Sequence, residues 1–143
     1  MSKIEVNTVA PQCGTTLTLG ESGDTVQLGT GASQSGFGRT GTVDWQTGSI
    51  KTTTFTAVNG QGFFVDTNGG AVQANLPAGT AGAIVSFQDY RNTFDTNPLT
   101  VTPNGSEKIN GGSAGGSLIL DAEGEGLTLV YIDSTIGWRS IQD

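Results

Sequence analysis

Acidic side chains are the main chemically active groups in this 143-residue sequence, which has 13 Asp and Glu, one Cys and no His. The lack of histidine excludes Ser-His-Asp and Cys-His nucleophile pairs and the His-containing zinc sites. A carboxylate pair, as used in glycoside hydrolysis, is the enzymatic route that remains. The acidic residues form no recognisable catalytic constellation, and no glycine-rich phosphate motif precedes a helical pattern. We therefore predict no catalytic residue, no cofactor and no enzymatic activity.

One loop could hold a metal ion. Asp121, Glu123 and Glu125 alternate with small residues in a glycine-rich stretch, and calcium favours several oxygen ligands on a flexible loop. The spacing lacks the twelve-residue EF-hand pattern. We interpret the stretch as a polar turn between Leu120 and Leu127 and predict no metal site.

Cys13 is the single cysteine, so no disulfide can form within one chain. Free cysteine is among the most buried residue types, which favours a small buried apolar side chain. The alternative is a reactive or interchain thiol.

Aromatic residues offer another kind of site, because exposed rings can stack on sugars. Trp45, Tyr90 and Phe94 are the candidates for glycan contact. Tyr131 and Trp138 lie on strands with a core-like pattern, so core packing competes with ligand binding as the role of this aromatic set.

The net charge of −7 argues against a nucleic-acid partner, because such binding needs clustered Lys and Arg. No apolar run is long enough for membrane insertion. The first six residues lack the apolar core of a secretory signal, so we expect synthesis in the cytoplasm. The basic residues are scattered along the chain: Lys3, Arg39, Lys51, Arg91, Lys108 and Arg139.

Residues 1–41 are predicted to form an N-terminal attachment and oligomerisation arm. Residues 14–20 and 23–29 form a short repeat in which two apolar residues alternate with polar ones, first Leu17 and Leu19, then Val26 and Leu28. This pattern predicts short strands in coils of a β-helix or in stacked hairpins. Two such units cannot bury their own apolar face, so neighbours must come from other chains. We predict an intertwined β-stalk in a homotrimer.

A Gly/Ser-rich linker over residues 29–41 ends the arm. Phe37 is unexpected in a pure tether. It is either an anchor that contacts a partner subunit or an exposed ring.

Residues 42–143 are predicted to form an antiparallel β-sandwich or jelly roll. About eight strand-like segments recur between Asn, Gly and Pro turn signals. Alternation places Phe63, Val65 and Leu129 on the core side. Phe64 must then point to the opposite face, where it is either buried or contacts a partner.

The second part contains a series of ordered motifs: residues 63–71 (FFVDTNGGA), Leu76-Pro77, Asp89-Tyr90 with Phe94, residues 97–101 (NPLTV), residues 103–106 (PNGS), residues 129–131 (LVY) and Gly137-Trp138. With these motifs it resembles, over about residues 45–143, a module of structural proteins from tailed bacteriophages, especially marine and cyanobacterial ones. This resemblance implies a usually trimeric protein on the exterior surface of the virion, and the arm looks like the short β-repeat arms that precede such modules.

Two functions follow as hypotheses. The first is a non-enzymatic virion protein, a homotrimeric capsid-decoration or short-fibre protein whose partners are its own copies and other capsid or tail proteins. The chain begins at Met1 and is short for a receptor-reaching fibre, which favours this hypothesis. The second is a tail-fibre module that binds a host-surface glycan or receptor.

Overall fold

The computed structural model describes residues 8–11, 13–25, 27, 30 and 43–141. All regular structure in these ranges is β-strand, which confirms the predicted all-β fold. Among the described residues, none forms a helix that could cross a membrane. The strands fall where β-branched and aromatic residues lie between glycine-containing turns. They are β1 (Asp44–Trp45), β2 (Phe55–Thr56), β3 (Gln61–Val65), β4 (Val72–Asn75), β5 (Ile84–Asp89), β6 (Leu99–Thr102), β7 (Leu118–Leu120), β8 (Gly126–Asp133) and β9 (Gly137–Ile141).

The strands form a five-stranded sheet, β1-β3-β5-β8-β9, and a four-stranded sheet, β2-β4-β6-β7. From β1 to β6, successive strands alternate between the sheets, and each strand from β3 onward pairs in parallel with the strand two before it. The three remaining pairings, among β5 to β9, are antiparallel. Both sheets are therefore mixed, and the predicted antiparallel pairing is found for β5 to β9 but not for β1 to β6. From β1 to β6 each connection crosses to the opposite sheet, so the chain returns to the same sheet in its original direction.

The inward faces of the two sheets share one hydrophobic core. Phe55 of the four-stranded sheet packs against Phe63 and Phe87 of the five-stranded sheet, with ring centroids 5.1 and 6.3 Å apart. Phe63, Val65 and Leu129 are all buried. The alternation in the sequence therefore identified the core side of these strands correctly.

Asp89, the last residue of β5, ties two loops to the core. Its side chain is buried and accepts hydrogen bonds from the backbone N–H groups of Phe94 at 3.0 Å and Gly124 at 3.2 Å. The N–H of Arg91 donates to its other oxygen at 3.2 Å. Phe94 is fully buried. The Asp89-Tyr90 motif with its downstream phenylalanine is thus a folding element.

Gly137 and Trp138 form a second folding element, at the start of β9. Trp138 is fully buried, and its Nε1–H donates to Glu107 Oε2 at 3.0 Å. The other oxygen of Glu107 accepts the N–H of Gly79 at 2.8 Å. Gly137 has φ +75°, and a Cβ there would overlap the carbonyl oxygen of Lys108. Only glycine meets both conditions, the left-handed backbone and the close approach.

The chain divides into two units, Met1–Gly38 and Arg39–Asp143. In the described part of the first unit, residues 13–25 contain no strand, so the predicted strand over residues 17–19 does not form within one chain. Leu17 and Leu19 are 43% and 53% exposed. Val26 and Leu28 lie outside the described residues, as does the predicted domain boundary at residue 41, which stays a prediction.

Candidate functional site: the outer face of the five-stranded sheet

The outer faces of the two sheets differ in chemistry. Strand register places mainly uncharged polar side chains on the outer face of the four-stranded sheet, with Ile119 as an exposed exception. The outer face of the five-stranded sheet mixes apolar side chains with the polar side chains of Ser86, Gln88, Thr128 and Arg139. Its apolar side chains are those of Trp45, Phe64, Ile84, Val130 and Ile141. Among these apolar residues Trp45 and Ile141 are exposed, and this face is the candidate site because it presents an exposed indole beside positioned polar groups.

Trp45 lies on this face because the neighbouring strand has a glycine beneath it. Trp45 pairs in register with Gly62, and a Cβ at residue 62 would come within 2.7 Å of the indole. The indole also contacts Phe64, with ring centroids 5.0 Å apart and planes inclined by 37°. Trp45 nevertheless keeps 40% of its surface exposed. The ring is therefore fixed in place with one part open to solvent.

A row of polar groups continues from Trp45 across the sheet. Gly62 pairs with Ser86, Ser86 with Thr128, and Thr128 with Ile141. The Ser86 and Thr128 hydroxyls are 2.8 Å apart and share a hydrogen bond. This bond gives the hydroxyl of the almost fully buried Ser86 a hydrogen-bond partner. The Thr128 side chain is half-buried at the surface.

Gln88 lies beside this row and folds over Gly126, where a Cβ would overlap its Oε1. Its Nε2 donates to the carbonyl oxygen of Gly124 at 3.0 Å. The result is a shallow groove of about 410 Å³ on the sheet surface. Its surface-facing lining comes from Trp45, Gln88, Gly126, Thr128 and Ile141.

Tyr90 lies just beyond β5 and is exposed. The Arg91 guanidinium stands 5.5 Å from the Tyr90 ring centroid and donates to Asp66 Oδ2 at 2.7 Å. This hydrogen bond from Arg91 is the main cause that holds the pKa of Asp66 below its ordinary value, and the N–H of Asn68 acts in the same direction. The same bond raises the pKa of Arg91.

The Asp66–Arg91 pair predicts a pH-dependent effect on stability. Because the pKa of Asp66 is lowered in the folded state, its contribution is present above the unfolded pKa near 3.8 and is lost as the pH falls through the folded pKa. We expect Asp66→Asn to lower the urea midpoint slightly at pH 6 and much less at pH 2.5. Asp121→Asn, on an exposed turn, is the control. An Asp66→Asn deficit that stays constant with pH would contradict the assignment.

The predicted glycan contacts do not form one surface. Trp45 and Tyr90 are exposed, but Phe94 has no exposed surface and cannot stack on a sugar. The prediction was wrong for Phe94 because the Asp89 carboxylate draws its backbone into the core. Phe64 is half-buried against Trp45 and available in part for a partner.

Other predicted site residues have separate outcomes. Cys13 is exposed, so the predicted burial is wrong within one chain. Phe37 lies outside the described residues, and its partner contact stays a prediction. In the loop after β7, Glu125 Oε2 accepts the N–H of Ala122 at 3.1 Å, as expected for a turn. No cluster of three or more metal-ligating side chains occurs in the described ranges.

Sequence reasoning missed Gln88, Thr128 and Ile141 as members of the groove. Their strands were predicted, but membership depends on cross-strand register, which local alternation does not determine. A signal was available at Gly62, since a glycine inside a strand often marks a close approach of another group.

The fold is that of an all-β module with two mixed sheets. Residues 18–138 match the family described as Bacteriophage T4 gp9/10-like protein, N-terminal. This match spans most of the sequence, and the chain belongs to that family, among bacteriophage structural and tail-fibre proteins of the virion. It begins inside the arm, earlier than the resemblance recognised from residue 45. No curated protein matches the sequence significantly.

Proposed function

We propose that this chain is a non-enzymatic, homotrimeric virion structural protein of the capsid-decoration or short-fibre type. Its arm joins three copies and attaches them to other capsid or tail proteins, and its sandwich is displayed on the virion exterior. The marine and cyanobacterial subtype is part of this proposal. Family membership supports the virion role, and the exposed arm leucines support the trimer.

The exposure of Leu17 and Leu19 carries the oligomer proposal. Both side chains are apolar, lie two residues apart and are about half exposed in the single chain. Their alternation is that of a half-buried strand, yet the described residues 13–25 join no sheet. Burial against neighbouring copies stabilises the assembly by about 25 cal/mol per Å² of apolar surface. Val26 and Leu28 complete the proposed interface.

The non-enzymatic proposal is supported by the structural hydrogen bonds that two carboxylates accept. Asp89 accepts backbone N–H groups from two loops, and Glu107 accepts from Gly79 and Trp138. Both oxygens of each of these two carboxylates therefore accept hydrogen bonds within the fold.

Leu19→Asp tests the arm directly. We expect this variant to lose trimer mass in light scattering while the sandwich stays folded, because a carboxylate cannot be buried in an apolar contact without a partner. Ile119→Asp is the matched control, since Ile119 is a similarly exposed apolar residue of the sandwich, at 57%. A trimeric Leu19→Asp protein would rule out the proposed stalk.

The proposed boundary is tested by limited proteolysis. We expect mild protease to cut within residues 29–41 and to release a folded β-domain, because Gly/Ser-rich linkers present backbone that a protease can bind. The readout is fragment mass together with the near-ultraviolet circular dichroism of the buried Trp138. Resistance of residues 29–41 to cleavage would mean that the boundary is misplaced.

A further inference from the structure

We propose that the groove beside Trp45 is a binding site for a neutral saccharide. The proposal concerns the sandwich alone and does not depend on the trimer. It differs from the glycan surface expected from the sequence, because Phe94 is excluded and Gln88, Thr128 and Ile141 are added. It commits to uncharged pyranose sugars as the ligand.

The first argument is the fixed aromatic platform. Trp45 is held from below by Gly62 and from the side by Phe64, yet 40% of it stays exposed. A rigid ring loses little conformational freedom on binding and presents a flat apolar surface. The carbon-bound hydrogens on one face of a pyranose form a matching apolar surface.

The second argument is the placement of hydrogen-bonding groups next to that ring. Gln88 and Thr128 line the same groove. Thr128 already shares a hydrogen bond with Ser86, and Gln88 Nε2 already donates to the Gly124 carbonyl oxygen. A ligand can therefore bond to Gln88 Oε1 and to the hydrogen-bonding sites of the Thr128 hydroxyl that Ser86 does not use. The open groove of about 410 Å³ therefore combines one exposed aromatic ring with a few positioned polar groups, and such polar groups fix the orientation of a small ligand.

The uncharged lining of the groove favours a neutral ligand. None of the residues that line the groove is charged, although the chain carries a net charge of −7. An acidic sugar would meet no cation among these lining residues, although Arg139 lies two residues from Ile141 on the same face of β9, and it would meet an overall repulsive field. A neutral saccharide needs no compensating cation and is not repelled by the negative charge of the chain.

The two outer faces offer a matched comparison. Gln88 of β5 and Gln73 of β4 are both strand glutamines on outward faces, but Gln73 lies on the four-stranded sheet, where its Nε2 bonds to Asn75 Oδ1 at 2.7 Å. Only Gln88 has an exposed indole in the same groove. Gln73→Ala therefore removes the same chemical group outside the site.

The test is saturation-transfer NMR on the full chain with methyl glycosides of glucose, galactose, mannose and N-acetylglucosamine. We expect at least one to bind with a Kd of about 10 mM or tighter. Trp45→Ala should weaken that binding about tenfold or more, as expected for loss of a buried aromatic surface, and Gln88→Ala should weaken it less. Gln73→Ala should bind as the wild type does.

Gly62→Ala keeps the indole but displaces it, since the added Cβ would lie 2.7 Å from the ring. We expect it to weaken binding as Trp45→Ala does. Folding of each variant is checked by the near-ultraviolet signal of the packed Tyr131–Trp138 pair. Failure of all four glycosides to bind the wild type, or equal binding by folded Trp45→Ala, would overturn the proposal. A groove variant that instead lowers the oligomer mass would reassign the face to a contact between copies and also overturn it.

Discussion

Gly137→Ala is expected to destabilise the sandwich by about 4 kcal/mol or more, combining a strained backbone with a steric overlap. Gly137 has φ +75°, and an added Cβ would overlap the Lys108 carbonyl oxygen. That oxygen accepts the N–H of Trp138 at 2.9 Å, so it cannot move away without breaking the bond that ties β9 to residue 108. Domains are stable by only about 5–15 kcal/mol, so this one methyl group would remove much of the total.

Gly82→Ala is the matched control for this prediction. Gly82 has a similar φ of +85°, but a Cβ there would meet nothing within 4 Å. We expect Gly82→Ala to lower the free energy of unfolding by about 1 kcal/mol, from backbone strain alone. Urea denaturation followed by Trp138 emission measures both variants. Equal losses for the two would show that the overlap with Lys108 is relieved without cost.

Asp89→Ala is expected to cost about 3 kcal/mol, because it leaves backbone donors in two loops without their acceptor. The N–H of Phe94 is the most enclosed of these donors, and the buried Phe94 ring depends on the turn that this bond holds. The same substitution also frees Gly124. We expect both loops to become susceptible to amide hydrogen exchange well before the strands.

Asp89→Asn separates hydrogen bonding from shape. It keeps the side-chain volume and one acceptor oxygen, but its NH2 group faces an N–H donor. We expect roughly half the loss of Asp89→Ala. Hydrogen exchange at Phe94 and Gly124 in the two variants measures the difference. Unchanged protection in Asp89→Ala would mean that the loops are held by other contacts.

Gly137 and Asp89, the residues changed in these predictions, belong to sequence motifs that act in folding. The Asp89-Tyr90 pair with Phe94 closes a loop on the core, and Gly137-Trp138 provides a close approach and a buried hydrogen bond.

The positions of the longer strands could be predicted from the sequence, because alternation and turn residues are local properties. Phe63, Val65 and Leu129 were placed on the core side for that reason. Pairing direction could not be predicted, because it depends on which sheet each connection reaches. The parallel pairing of β3 with β5 places Phe63 opposite Phe87 across many intervening residues.

The candidate site was predicted only in part, for a related reason. Trp45 was identified as an aromatic candidate, but β1 has only two residues and gives no periodic signal of its own. Its place on the sheet depends on Gly62, which belongs to another strand. Tyr90, predicted as a glycan contact, is exposed, whereas Phe94 is buried, and its backbone N–H is held by Asp89.

We propose that three copies of this chain assemble through the arm. Light scattering on the purified full-length protein tests it most directly, with Leu19→Asp measured alongside. We expect the wild type to have the mass of three chains and Leu19→Asp to have the mass of one. A wild-type protein that stays a single chain across the accessible concentration range would contradict the homotrimer.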